Sequence, residues 1–180
     1  MALHFSKQEF LQRKTKVLQS MKDQNLDAIL MFRQESMYWL TGYDTFGYVF
    51  FQTLVLDNKG NIILLTRAPD LRQAQNTSNI EDIRIWVDKD GSNPADDLKN
   101  ILNELSLKGK KVGVEYEAYG LTGRNALRLN KSLENYCNIE DQSELITKLR
   151  VIKSPEEIVY VKKAAELADL ALDQAWKHTK

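Results

Sequence analysis

Five successive apolar residues, Ala28-Ile29-Leu30-Met31-Phe32, constrain the fold of this chain more than any other feature. Side chains alternate between the two faces of a strand, so an unbroken apolar run must be covered on both faces. That pattern is typical of a strand in a parallel sheet with helices on either side. A capping box formed by Ser6 and Glu9 comes before the run and predicts a helix from about residue 7 to residue 24.

The periodicity of the remaining sequence predicts an alternation of strands and helices. Further strands are expected at residues 51–56, 62–66, 83–87 and 111–115, the first two forming a hairpin around the turn at residues 57–61. Further helices are expected at about residues 69–77, 94–105, 122–135 and 143–149. This order predicts an α/β domain with a mixed β-sheet flanked by helices, followed by the start of a C-terminal helix.

The last segment differs from the rest because it predicts one long helix with an apolar stripe. Ser154 is the predicted N-cap, Pro155 fits the first helical position, and Glu156 and Glu157 are favourable in the first turn. Apolar residues then recur at alternating three and four spacing up to the end of the sequence. Two interpretations stay open at this point: the first helix of a further, unfinished domain, or a C-terminal helix that packs back on the sheet.

The composition excludes several classes of function. Lys plus Arg (25) equals Asp plus Glu (25) and no basic stretch is visible, so a nucleic-acid partner is not expected. No apolar run approaches the roughly 20 residues that cross a bilayer, so no membrane partner is expected. Cys137 is the single cysteine and cannot form an internal disulfide, which together with the lack of a recognisable signal peptide predicts a cytoplasmic protein.

Residues with catalytic or metal-binding chemistry are sparse. The two histidines, His4 and His178, lie at opposite ends of the chain, and no His-Glu-x-x-His or Cys-x-x-Cys motif is present. Glu115 and Glu117 are two apart at a strand end, which allows an acid pair on one face, although solvated like charges are the commoner arrangement. We therefore predict no catalytic residue and no metal ligand in this sequence.

Aromatic residues are concentrated between residues 38 and 51. This stretch holds seven of the sixteen aromatic residues, together with Gly42 and Gly47. Aromatic side chains in a glycine-containing loop are favoured anchors of interfaces and walls of ligand pockets, although a loop that folds back on its own sheet is the alternative. Arg33 and Arg67 each follow a predicted strand directly, where α/β sheets often place ligands, and either could bind a carboxylate.

Two segments resemble the N-terminal domain of the creatinase/prolidase/aminopeptidase P family. The first is the strand beginning at Asp27 followed by Ser36-Met-Tyr-Trp-Leu-Thr-Gly-Tyr43, which is similar to the family's first strand and its Tyr-Leu-Thr-Gly stretch. The second is Leu149-Arg150-Val-Ile-Lys153-Ser154-Pro155-Glu156-Glu157-Ile158, which is similar to the entry into the family's catalytic domain. The run from Thr66 to Gln73 also resembles dipeptidase-like and ectoine-hydrolase-like members.

The resemblance implies that residues 1–150 form the N-terminal domain of a larger hydrolase. Residues 151–180 would be the linker and first helix of a truncated catalytic domain with the pita-bread fold. In the metallopeptidase members that domain binds two metal ions, commonly manganese or cobalt, whereas creatinase itself works without metal. The expected function is a non-catalytic domain of a metal-dependent Xaa-Pro dipeptidase or creatinase-like hydrolase, inactive by itself.

The resemblance also implies partners and site residues. The chain would associate with its own C-terminal catalytic domain and form a homodimer. In that dimer the aromatic-rich stretch at residues 38–51, called the aromatic loop below, would line the substrate pocket of the neighbouring subunit. Tyr43, Phe46, Tyr48 and Phe50 are the expected pocket residues. The arginine that creatinase places near its substrate is absent from the positions around Tyr48 and Phe50, which argues against creatine as the substrate.

A second hypothesis of a different class remains open. The chain could be a stand-alone α/β module that binds a small molecule or a protein through its aromatic loop. In that case the last helix should pack fully on the sheet.

Overall fold

The structure is a computed structural model that describes residues 3–179, and it divides into a unit that ends at Leu149 and a unit that begins at Arg150. The strands are β1 (Ala28–Met31), β2 (Thr53–Asp57), β3 (Ile62–Arg67), β4 (Asp82–Trp86), β5 (Lys111–Val114) and β6 (Asn138–Asp141). The helices are α1 (Lys7–Asp23), α2 (Gln34–Thr41), α3 (Leu71–Thr77), α4 (Pro94–Glu104), α5 (Gly123–Leu133), α6 (Leu145–Val151) and α7 (Pro155–His178). A 3-10 turn at Ala68–Asp70 precedes α3.

The strands form one mixed six-stranded sheet in the order β4-β3-β2-β1-β5-β6. Strand β1 lies inside the sheet, with Leu30 opposite Val55 of antiparallel β2 on one side and opposite Val114 of parallel β5 on the other. Strand β2 is antiparallel to both of its neighbours, whereas β3 pairs with β4 and β5 pairs with β6 in parallel. The predicted mixed sheet is therefore confirmed.

The two faces of β1 contribute to separate apolar cores. Leu30 packs in a cluster that contains Leu98 of α4 and Leu129 of α5. Ile29 packs in a second cluster that contains Met21 of α1 and Met37 of α2. Helices thus cover the sheet on both faces, as the unbroken apolar run predicts.

Two elements were not expected from the sequence. Residues 34–41 form α2, so Tyr38 and Trp39 are helical and the loop of the aromatic stretch begins only after Gly42, whose φ of 81° ends the helix. Strand β6 was also missed because it is an edge strand without an alternating apolar pattern.

Helix α7 is present as predicted and begins with a complete capping box between Ser154 and Glu157. None of its residues is buried, and exposed apolar side chains such as Leu167, Leu172 and Trp176 lie along it. Lys180, the last residue of the predicted segment, lies outside the described residues. Among residues 3–179, no helix has the length and apolar character needed to cross a membrane.

Truncation of Leu30 tests the packing of the sheet. Leu30 is 0% exposed, so Leu30→Ala should lower the free energy of unfolding by about 2–5 kcal/mol through lost burial and the cavity left behind. Leu11→Ala is the matched control because Leu11 is 64% exposed on α1. Chemical denaturation of both variants measures the difference, and equal losses would contradict the placement of β1 in the core.

Candidate functional site

A buried carboxylate fixes the start of α2 and therefore the approach of the chain to the aromatic loop. Glu115 follows β5 directly and is 0% exposed. One of its oxygens accepts hydrogen bonds from the backbone amides of Phe32 (3.0 Å) and Arg33 (3.1 Å), and the other accepts from the Ser36 hydroxyl (2.6 Å). These donors lie at the amino end of α2, where an anion is favourable.

The environment of Glu115 opposes its ionisation. Burial raises the pKa of its carboxyl from 4.5 to about 7, although the Ser36 hydroxyl and the two backbone amides favour the charged form. Glu117, its possible partner in an acid pair, is exposed instead and forms an ion pair with Arg33. The two glutamates do not share one environment, so the structure does not assemble an acid pair.

The guanidinium of Arg33 is occupied within the chain. Besides the ion pair with Glu117, it donates to the Glu117 carbonyl oxygen (2.5 Å) and to the Thr147 hydroxyl (2.6 Å). Arg33 lies between β1 and α2, and its side chain thus holds this loop to the segment after β5 and to α6. A ligand carboxylate at Arg33 would have to replace these contacts.

A buried polar network supports the aromatic loop from below. Tyr43 is 0% exposed, and its hydroxyl donates to the side-chain carbonyl of Gln52 (2.9 Å). The Gln52 amide donates to Thr45 (3.1 Å), and the Thr66 hydroxyl donates to the Gln52 carbonyl (3.2 Å). Burial raises the pKa of Tyr43, which keeps its hydroxyl protonated as a donor. In this structure Tyr43 is therefore a support of the loop, and its ring is not presented at the surface.

A second anchor lies at the far side of the loop. Arg67 and Asp70 form an ion pair, with 2.9 Å between Nη2 and Oδ2, and the Asp70 carboxylate lies against Gly47. A Cβ at Gly47 would be only 2.7 Å from Oδ1 of Asp70, so a larger residue there would displace the Asp70 carboxylate. The guanidinium carbon of Arg67 lies 3.4 Å from the ring centroid of Phe50, a cation–π contact. Arg67, like Arg33, already has an internal carboxylate partner.

The loop nevertheless exposes apolar rings. Phe46 is 86% exposed, and Tyr48 and Phe50 are exposed as well. The ring of Tyr48 lies 6.1 Å from that of the exposed Tyr119, in an edge-on arrangement. We call the exposed apolar residues of these two loops the aromatic surface; they are Phe46, Tyr48, Val49, Phe50 and Tyr119.

The loop that carries Tyr119 is held against the aromatic loop by a close backbone contact. A Cβ at Gly120 would lie 2.5 Å from the carbonyl oxygen of Phe50 and 2.9 Å from that of Tyr48. Tyr119 lies far from the aromatic-rich stretch in sequence, so composition gave no sign that it belongs to the same surface. The neighbouring Gly120 was the available signal, because a glycine in a loop often marks a close backbone approach.

The described residues contain no group of three or more His, Cys, Asp or Glu side chains placed to bind a metal ion. The residues present therefore do not fit a dinuclear metal centre. What the arrangement offers is a fixed, exposed set of aromatic rings that can cover an apolar ligand or pocket.

Comparison with known sequences gives a consistent set of relatives. The family of Creatinase/Prolidase N-terminal domains matches residues 13–152. An uncharacterized hydrolase/peptidase of Sinorhizobium fredii, y4tM, is 30% identical, and the match covers 96% of this chain and 46% of that protein. The ectoine hydrolase of Halomonas elongata is 27% identical, with 92% and 43% covered. The chain thus spans about half the length of the curated relatives it matches.

Comparison with solved structures supports the same fold. A prolidase from Thermococcus sibiricus matches with a TM-score of 0.78 and 20% identity, over 97% of this chain and 46% of that one. A Xaa-Pro dipeptidase from Bacillus anthracis matches with a TM-score of 0.75 and 18% identity, over 95% and 44%. At these identities the likeness establishes the fold alone. The resemblance found in the sequence is confirmed by the family match over residues 13–152.

The buried Glu115 carboxyl makes stability depend on pH. Its pKa is about 7 in the folded chain against an ordinary value of 4.5, so the folded state binds the proton more tightly. Below pH 4.5 this group contributes its full share to the free energy of unfolding. That contribution, roughly 3 kcal/mol, is lost as the pH rises through about 7. Glu115→Gln keeps a neutral side chain of the same shape and should remove this part of the pH dependence.

Denaturation of the wild-type chain and of Glu115→Gln between pH 4.5 and pH 8 measures the effect. The stability difference between them should shift in favour of the variant as the pH rises. Glu117→Gln, an exposed change of the same kind, should leave the wild-type slope intact. Parallel curves for the wild type and Glu115→Gln would contradict the assignment.

Proposed function

We propose that this chain, which belongs to the Creatinase/Prolidase N-terminal domain family, is the non-catalytic N-terminal domain of a metal-dependent Xaa-Pro dipeptidase or creatinase-like hydrolase. The names of its relatives support a hydrolase or peptidase as the parent protein. The match over about half of each relative supports a parent with a second domain of similar size. Residues 151–180 would then be the linker and the first helix of that catalytic domain.

The aromatic surface is the observation that carries a functional role for this domain. Exposed apolar rings at a loop tip are unfavourable unless something covers them, and the loop beneath them is fixed by two buried anchors. In our proposal, Phe46, Tyr48 and Phe50 cover the substrate pocket of the neighbouring subunit in a homodimer. Tyr43, which was predicted among the pocket residues, supports them from the core.

The chemistry of the reaction would belong to the catalytic domain. There a dinuclear site, commonly of manganese or cobalt in metallopeptidases of this kind, would supply an activated water for hydrolysis of an amide bond. The residues of this chain would exclude bulk water from the pocket and limit the length of the substrate. Because the fixed loop is pre-organised, closing the pocket would cost little conformational entropy.

Two further features fit this proposal. The exposed apolar residues of α7 suit a helix that is covered by further parts of the catalytic domain. Cys137 is a free, half-buried thiol with a pKa raised to about 11 by burial, which suits the reducing cytoplasm where we place the protein.

Removal of the exposed rings tests the pocket role. In the full-length hydrolase, Phe46→Ala combined with Tyr48→Ala should lower kcat/KM for a Xaa-Pro dipeptide by about tenfold, which corresponds to roughly 1.4 kcal/mol of transition-state stabilisation. The free energy of unfolding should change little because both rings are exposed. Leu11→Ala, a truncation of an exposed apolar residue on α1, is the control. Wild-type kinetics in the double variant would remove the pocket role.

The chain by itself should not hydrolyse Xaa-Pro dipeptides. Incubation with manganese or cobalt and a chromatographic assay for free proline should give the rate of the metal alone, because the described residues assemble no metal-binding group. Hydrolysis above that rate that scales with the concentration of the chain would contradict the non-catalytic assignment.

A further inference from the structure

A broad groove lies at the carboxyl end of β4, beside the aromatic loop. Its volume is about 1220 Å³, and its walls come from the segment after β4, from α4 and from α5. Phe50 and Trp86 form part of its apolar wall. In open α/β sheets, ligands bind preferentially in crevices outside the carboxyl ends of the strands. The volume exceeds the roughly 300–1,000 Å³ of typical small-molecule pockets, so the groove has room for a small ligand and its water.

Cationic side chains converge on this groove. Five of them line it: Lys89, Lys99, Arg124, Arg128 and Lys131. Arg124, Arg128 and Lys131 follow the spacing of one face of α5, so they present their charges together. Within the described part of the chain, none of the five has a carboxylate within 4.0 Å, although Lys99 lies over the ring of Tyr136.

Acidic residues are fewer in the groove and one is already engaged. Asp96 lies in the first turn of α4 and accepts a hydrogen bond from the Ser132 hydroxyl (2.5 Å). Asp88 and Asp90 lie in the exposed segment after β4. The groove therefore has two more cationic than acidic side chains, whereas the whole chain has a formal net charge of zero.

The cationic side chains of the groove differ from Arg33 and Arg67, the two arginines predicted from the sequence as carboxylate-binding residues. Arg33 is paired with Glu117 and Arg67 with Asp70, so their charges are compensated within the chain. Arg124, Arg128 and Lys131 have no such partner among the described residues, and they share one cavity. Guanidinium groups in particular match the oxygens of carboxylates and phosphates.

We infer that this groove binds a small ligand that carries at least two phosphate or carboxylate groups. A single anionic group would contact only part of the cationic face, whereas two or more groups can reach α5 and Lys99 together. Asp88 and Asp90 disfavour a long polyanion such as nucleic acid, because its further phosphates would be repelled. A bound ligand would also lie next to Phe50 and so adjoin the aromatic surface. The inference does not depend on the proposed hydrolase function.

Calorimetric titration of the chain with pyrophosphate and, separately, with citrate tests the inference. At least one probe should bind saturably at one site per chain, with affinity that falls as the sodium chloride concentration rises. Arg128→Gln combined with Lys131→Gln should weaken that binding by about tenfold or more, since charge-assisted hydrogen bonds are lost. Lys16→Gln combined with Lys108→Gln removes the same charge from exposed positions outside the groove and is the matched control.

The outcomes separate the possible ligands. Binding of pyrophosphate alone indicates a phosphorylated ligand, binding of citrate alone indicates a polycarboxylate, and both results support the site. No saturable binding of either probe would overturn it, as would equal weakening by the groove variant and the control. Because Arg128 is half-buried, Lys131→Gln alone, at an exposed position, provides a second test if the double variant does not fold. It should weaken binding by about threefold or more, and unchanged affinity would likewise overturn the inference.

Discussion

The position of the aromatic surface depends on the hydrogen bonds that Glu115 accepts at the start of α2. This single carboxylate joins the end of β5 to the start of α2 by accepting from two backbone amides and one hydroxyl. Its position fixes the first turn of α2 and hence where the chain enters the aromatic loop. A buried backbone amide without a hydrogen-bond partner at this helix end would cost about 1–3 kcal/mol of stability. The carboxylate avoids that cost by accepting from both amides. The cost of burying it is visible in its pKa, which burial raises to about 7.

After α2, the aromatic loop has a backbone that buried contacts hold in place and aromatic rings that are exposed. Tyr43, Gln52, Thr45 and Thr66 form a hydrogen-bonded network below it, and the Arg67–Asp70 ion pair fixes it from the side next to Gly47. Polar groups that are buried with their partners satisfied define one conformation of the backbone. The rings above are thus held in place without being buried. A fixed apolar surface of this kind suits the covering of a neighbouring pocket better than a mobile loop does, because little entropy is lost on contact.

Much of the sheet could be predicted because its signal is local. The apolar run at β1 requires cover on both faces, and the turn between β2 and β3 requires a hairpin. Helix α2 was missed because its start depends on Glu115, whose bond to Ser36 joins residues 79 positions apart. Edge strand β6 lacks an alternating apolar pattern. The burial of Tyr43 and the internal partners of Arg33 and Arg67 arise from tertiary contacts. Residue type alone therefore could not tell side chains that support the loop from those that are exposed on it.

If the proposed full-length hydrolase forms the proposed dimer, a mixed dimer gives the most direct measurement of whether this domain acts on a neighbouring active site. One subunit would carry Phe46→Ala and Tyr48→Ala with an intact catalytic domain. The other would carry the intact aromatic loop and a substitution of one metal ligand in its catalytic domain. If the loop completes the pocket in trans, the purified mixed dimer should recover wild-type kcat/KM at its single intact site. A kcat/KM per intact site no higher than that of the loop variant's own homodimer would contradict the account.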